Sequence, residues 1–309
     1  MCMRSLRPGA MTDKQDAPSE ACSLPDWQMV EVAGADAAAF LQAQTMNDVR
    51  PLAPGNWQWN GWLNPKGRLI ALFALAALEA QRYWLVVPDF PASELAARMQ
   101  RFVFRSKVKL GARADLQAFG AFAAPSQARG AMLHREGGDA GAIEFDLGGE
   151  GGARALRIAP VPATLIGVAD LEGSLRADAD AQCVWRWTAF DLAHGLPRLS
   201  IDQSEQWTPQ MLSLDRLGAY SLKKGCYPGQ EIVARTHFLG QAKRALARVA
   251  GEGLATGAEI AAEGRALGVV VASAAGEALA VLAVDRPEGE WTCGGVACRE
   301  LPLLGGLAR

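Results

Sequence analysis

Apolar and polar positions along this chain follow two periods in succession. Met29 to Val32 reads as a short strand, and Asp36 stands where a helix N-cap belongs, ahead of an alanine-rich run through Phe40, Leu41 and Gln44. Two apolar runs, Trp57 to Leu63 and Leu69 to Leu75, flank the turn residues Asn64-Pro65-Lys66-Gly67, which predicts a hairpin. Tyr83 to Val87 predicts another strand. From Ser93, read as an N-cap, Leu95, Met99, Phe102 and Val103 trace the i, i+4, i+7, i+8 stripe of an amphipathic helix. Strand, helix, three strands and a second helix make an α+β succession, read as the ferredoxin-like kind.

A second unit begins near Lys107. Asp115 to Phe122, Ala142 to Leu147 and Ala155 to Pro160 read as strands between Gly-rich loops. A helix from about Asp180 to His194 then ends at Gly195-Leu196-Pro197, where a C′ glycine and a proline stop it. From Ala245 onward, short strands with turn signals about every ten residues predict a small terminal β-barrel or sandwich. The expected division is a disordered tail over 1–23, α+β domains over 24–106 and 107–240, and a β-barrel over 241–309.

Composition narrows the classes. Of 309 residues, 50% are hydrophobic, and 31 basic against 33 acidic residues leave a net charge of −2. That excludes disorder over most of the chain, and it argues against a general nucleic-acid binder, which needs surplus cations to displace counterions. No run reaches the roughly 18 apolar residues of a membrane span. The six cysteines contain no C-x-x-C, and none of the three histidines falls at ligand spacing from a cysteine pair. A zinc site and a disulfide framework are therefore not expected. Met1 to Ser23 lacks the apolar core of a secretory signal, so the cytoplasm is the expected compartment.

The stretch richest in chemistry is Lys223-Lys-Gly-Cys-Tyr-Pro-Gly-Gln-Glu-Ile-Val-Ala-Arg235. Gly225, Pro228 and Gly229 enforce a tight loop, and Gln230 can start a helix or an extended arm. Cys226 beside two lysines and near free backbone N–H groups would favour its thiolate. Lys223, Lys224, Arg235, Lys243, Arg244 and Arg248 face a single acid, Glu231, a candidate anion site. On residue chemistry alone, a buried packing cysteine under a solvated basic face is an equal alternative.

Lys224-Gly-Cys-Tyr-Pro-Gly-Gln-Glu231 resembles the K-G-C-Y-x-G-Q-E signature of the YgfZ family, folate-binding proteins related to the glycine-cleavage T-protein and linked to iron–sulfur cluster assembly and tRNA modification. Trp27, the run Val32 to Val49, Lys66-Gly67-Arg68, Phe104 to Val108 and Pro209-Gln210-Met211 resemble family segments in matching order. The resemblance implies a GcvT-like fold, with two ferredoxin-like α+β domains around a central channel that binds tetrahydrofolate, plus a C-terminal β-barrel. It also implies that Trp27 and Trp187 contact folate. A pterin needs aromatic faces and fixed hydrogen-bonding groups, and the folate tail needs cations. Trp57, Trp59 and Trp62 are expected to be structural.

Two departures from T-protein stand out. Its acidic residue after the hairpin turn is missing, because Leu69 to Leu75 is apolar throughout. Its pterin-gripping glutamate is replaced by Ala193, leaving Asp191 as a substitute only if the helix end is rearranged. The expected function is thus a folate-dependent accessory protein for iron–sulfur cluster assembly or repair, with Cys226 as reactive thiol. Trp27, Trp187, Asp191, Lys224, Gln230 and Arg235 are the expected folate-binding residues, and Lys224, Gln230, Glu231 and Arg235 are also expected to shape the cysteine's loop. Expected partners are folate and iron–sulfur cluster enzymes or assembly proteins, with a monomeric protein and no direct nucleic-acid or membrane contact. A tetrahydrofolate-dependent aminomethyl- or formyl-transferring enzyme, and an RNA-binding protein using residues 223–248, are the alternatives. His134, His194 and His237 are expected to be ordinary histidines. The leading reading requires Cys226 at the mouth of the cavity that holds Trp27 and Trp187.

Overall fold

The computed structural model describes residues 21–137, 141–161, 173–238, 240 and 242–309; the expected tail lies outside the described residues as far as residue 20. The chain runs through β1 (Cys22–Ser23), β2 (Trp27–Ala33), α1 (Ala37–Gln44), β3 (Asn56–Leu63), β4 (Leu69–Glu79), β5 (Arg82–Pro88), α2 (Ala92–Gln100) and β6 (Lys109–Ala112). It continues through β7 (Leu116–Ala121), β8 (His134–Arg135), β9 (Ile143–Asp146), β10 (Ala155–Pro160), α3 (Gly173–Ala193) and α4 (Gln230–Phe238). The last part comprises β11 (Arg244–Gly251), β12 (Glu259–Ala262), β13 (Arg265–Ala274), β14 (Glu277–Ala283), β15 (Trp291–Cys293) and β16 (Val296–Leu301).

Among the described residues these strands form two open sheets, β3-β4-β5-β2-β6 and β1-β7-β10-β9-β8, and a closed barrel, β11-β14-β13-β12-β15-β16. The expected hairpin is present, with Trp62 opposite Ala71 and Asn56 opposite Ala77. Strand β4 reads as an unbroken apolar run because both its faces are buried. Phe73, Leu75 and Ala77 pack with Leu95 and Met99 of α2, whereas Leu72, Ala74 and Ala76 join Trp57, Trp59 and Phe145 in a core shared with the second sheet.

Several expectations need correction. Helix α2 starts after Pro91 rather than Ser93, and the Ala92 N–H is met by Gln28 Oε1 at 3.0 Å. It ends at Gln100, so Phe102 falls beyond it and is exposed. Strand β6, expected to open the second domain, instead pairs with β2 and completes the first sheet. Strand β1, expected within the tail, pairs with β7 in the second. Both are short edge strands whose partners lie far along the chain, and local composition does not reveal such pairing. Cys22 of β1 also forms a disulfide with Cys183 of α3. The wide separation of the two cysteines hid this bond.

Candidate functional site

The signature loop rests directly on the β3–β4 turn, and two glycines make that approach possible. Gly229 has φ +79°, and a Cβ there would lie 2.6 Å from the Asn64 carbonyl oxygen and 2.7 Å from Gly67 Cα. Gly67, at φ +70°, would in turn drive a Cβ to 2.8 Å from Ile232 Cβ on α4. Lys224 points inward and is buried; its Nζ donates to the carbonyls of Thr45 at 2.6 Å and Asn47 at 2.8 Å. It also lies 5.1 Å from the Tyr227 ring centroid. Burial pulls the ammonium down to about 8; Asp48 resists that shift and Arg50 adds to it. Gln230 Nε2 donates to the Lys224 carbonyl at 3.0 Å, closing the loop on itself.

Within this frame Cys226 is a free, exposed thiol, so the buried packing alternative fails. Arg235 on α4 is exposed as well. The six basic residues of 223–248 do not form one surface. Lys224 is turned inward, and Arg248 is held by Glu277 through two bonds of 2.7 and 2.8 Å.

A second cluster surrounds Trp27 and Trp187, which meet edge to face with centroids 6.4 Å apart. Gly120 of β7 makes room for Trp187, since a Cβ there would lie 2.6 Å from its ring. Both tryptophans are buried, and neither indole N–H has a hydrogen-bond partner among the described residues. The Arg154 guanidinium lies 4.1 Å from the centroids of both Trp187 and Phe190. It pairs with Asp191 Oδ1 at 2.7 Å, while Arg198 holds Asp191 Oδ2 at 3.1 Å. Arg198 also donates to both oxygens of Asp89. Burial lowers the pKa of Arg154, with Asp191 opposing. For Arg198, burial is outweighed by Asp89 and Asp191, and its pKa is raised. Asp191 therefore has both oxygens engaged by guanidinium groups.

Two cavities flank this cluster. One of about 340 Å³ is lined by Trp27, Gln28, Arg113 and Gln117, and one of about 540 Å³ by Pro25, Val184, Trp185 and Thr188. Neither Cys226 nor Trp187 lines either of them, so the expected single cavity with the thiol at its mouth and both tryptophans inside is not what the fold builds: only Trp27 faces a cavity, and the thiol lies on a separate loop. The structure thus joins Trp27, Trp187 and Asp191 at one place and Lys224, Cys226 and Gln230 at another. Sequence reading missed Arg154, Arg198 and the partners of His194. The glycines at 149 and 151 were the available signal: a Cβ at either would lie within 2.7 Å of the imidazole.

Residues 20–124 match the GCVT N-terminal domain family. An uncharacterised protein of Haemophilus influenzae is 32% identical over 230 residues, covering 74% of this chain and 72% of that protein. The tRNA-modifying protein YgfZ of Cronobacter sakazakii is 29% identical over 243 residues, covering 76% of this chain and 72% of its own length. Among solved structures, the glycine cleavage system aminomethyltransferase T of Bartonella henselae superposes with a TM-score of 0.71. That match covers 93% of this chain and 86% of the other at 17% identity, and it shows the same fold. No helix among the described residues is long and apolar enough to cross a membrane.

Proposed function

This chain belongs to the YgfZ family and carries a GcvT-like fold, and from that premise we propose that it is a cytoplasmic folate-binding accessory protein that supports iron–sulfur cluster assembly or repair. Through cluster enzymes it would serve tRNA modification. The observation that carries the reading is the pair of buried, unpartnered indole N–H groups on Trp27 and Trp187. Leaving a buried donor unmade costs about 1–3 kcal/mol, and a flat ring with acceptor atoms in the cavity that Trp27 lines would relieve the donor on Trp27. A pterin has such acceptors, and Arg154 and Arg198 stand beside the pair as cations.

The cavity lined by Trp27, Gln28, Arg113 and Gln117 offers a folate an aromatic face and hydrogen-bonding groups. Trp27 and Trp187 would hold the ring. Asp191 would act as a positioning residue, keeping Arg154 over Trp187, because its oxygens are already engaged. Bound tetrahydrofolate would supply one-carbon units or an oxidisable ring. Lys224 and Gln230 would brace the signature loop and Arg235 would supply charge beside it, so that Cys226 presents a soft sulfur to a partner. One thiolate cannot hold a cluster alone, which favours transfer or repair over stable carriage. The aminomethyl-transfer alternative lacks a carboxylate in the apolar stretch Leu69 to Leu75. The RNA-binding alternative loses its contiguous cations to the inward turn of Lys224 and the Arg248–Glu277 pair.

The test is a titration with 5-formyltetrahydrofolate followed by intrinsic fluorescence and calorimetry. Trp27→Phe and Trp187→Phe are expected to weaken binding about tenfold or more, the loss of a buried hydrogen bond. Cys226→Ser should keep folate affinity yet fail to restore cluster-enzyme activity in a deletion strain. A wild-type protein that binds no folate sinks the first half of the proposal, and full restoration by Cys226→Ser sinks the second.

A further inference from the structure

The segment linking α2 to β6 reads Arg101-Phe-Val-Phe-Arg-Ser-Lys-Val-Lys109, four cations interleaved with two phenylalanines and no acid. Phe102 is 41% exposed and Phe104 is 85% exposed. Arg101, Arg105, Lys107 and Lys109 are exposed, and none of their side chains pairs with a carboxylate among the described residues. Scattered exposed aromatics are ordinary on a protein surface, but here Phe102 lines a cleft and Phe104 follows it two residues along the strip.

That cleft has a volume of about 500 Å³, within the range of small-ligand sites. Its walls include Trp62, Ile70, Phe102 and Pro228, with Arg98 and Arg101 also lining it. Trp62 and Phe102 meet edge to face at 5.6 Å, and the buried Trp62 indole N–H has no acceptor among the described residues. The carboxylates lining the cleft are already engaged. Glu94 holds Arg98 at 2.6 Å, and Glu205 accepts from Asn64 at 2.5 Å. Arg101 has no carboxylate partner among the described residues.

Aromatic faces, a buried donor and a run of unpaired cations leading away together suit a heteroaromatic base on a phosphate backbone. We propose that this cleft and the 101–109 strip bind single-stranded nucleic acid, with one base against Trp62 and Phe102 and the phosphates along Arg101, Arg105, Lys107 and Lys109. The net charge of −2, which argued against nucleic acid, averages over the whole chain and conceals this strip. An acidic peptide of a partner protein is the competing occupant. The unpartnered indole N–H favours a base, because a base offers ring acceptors as well as a stacking face. This proposal does not depend on folate binding or on Cys226.

The experiment measures fluorescence anisotropy of labelled single-stranded RNA of about 12 nucleotides. The full-length protein is titrated at salt between about 50 and 200 mM. Binding is expected at the lower salt and should fall steeply toward the higher. Arg101→Gln and Phe104→Ala should each weaken it about fivefold or more, with unchanged melting and unchanged folate titration. Absence of binding at low salt would overturn the proposal, as would variants that bind like the wild type. Displacement of the RNA by polyglutamate as readily as by unlabelled RNA would overturn it in favour of an acidic protein partner. Binding of AMP without binding of the oligonucleotide would overturn it in favour of a free nucleotide.

Discussion

His194 shows how much a single proton controls in this structure. Its Nδ1 lies 2.8 Å from the Phe190 carbonyl, and its Nε2 accepts the Gly151 N–H at 3.0 Å. The ring is also stacked on Phe190 at 4.1 Å. That pattern requires a neutral imidazole with its proton on Nδ1. Burial lowers its pKa below 6.5. As pH falls through 6.5 the unfolded chain takes up a proton that the folded chain refuses. The stabilisation is therefore complete above that pH and declines below it, until the folded pKa is reached. Thermal melts between about pH 7.5 and 5.5 should show a decline in the wild type of at most about 1.4 kcal/mol per pH unit. His194→Gln should flatten this decline, and parallel curves would rule out the assignment. The sequence offered no partner for His194 because Gly151 lies 43 residues away. Trp27 and Trp187 were legible only through the family resemblance, since their shared burial comes from packing between elements.

At the scale of elements, the signature loop and the β3–β4 turn behave as one unit. Each contributes a glycine in the left-handed region, and each glycine gives up its Cβ volume to the other segment. Gly229→Ala should destabilise the protein by about 2 kcal/mol or more, from positive-φ strain together with backbone contact. It should also accelerate alkylation of Cys226, which a thiol-reactive dye would report. Unchanged stability and unchanged labelling would refute the coupling. Both turns were legible as Gly/Pro punctuation, and the hairpin followed from its apolar flanks. Their docking was not, because it joins residues more than a hundred positions apart and leaves no local period.

The whole molecule is tied together by long-range links at both ends. The Cys22–Cys183 disulfide spans 161 residues and fastens β1 to α3. The C-terminal segment returns to the first sheet, where the Leu307 carbonyl accepts the Trp59 indole N–H at 2.8 Å. Arg309 donates to the carbonyls of Asp146 and Gly148 at 2.9 and 3.1 Å. By loop-closure entropy the disulfide stabilises the fold by up to about 5 kcal/mol. A reductant should lower the melting midpoint of the wild type to that of Cys22→Ser and leave the variant unchanged; a wild type insensitive to the reductant would show that the bond contributes nothing. Closure of the C-terminal strands into a barrel rather than a sandwich was decided by the tertiary structure, while the amino-acid order by itself determined the hairpin, the stop of α3 at Gly195, the short strands of the C-terminal part and the family signature. Each is written in neighbours a few residues apart, through side-chain period and glycine or proline geometry. Only the tertiary structure decided that Lys224 faces inward, that Asp191 is held by two arginines and that Cys226 stands apart from the tryptophan pair. The exchange of β1 and β6 between the sheets was settled there as well. Those outcomes follow from burial and charge pairing between distant segments, and such contacts exist only once the chain has closed on itself.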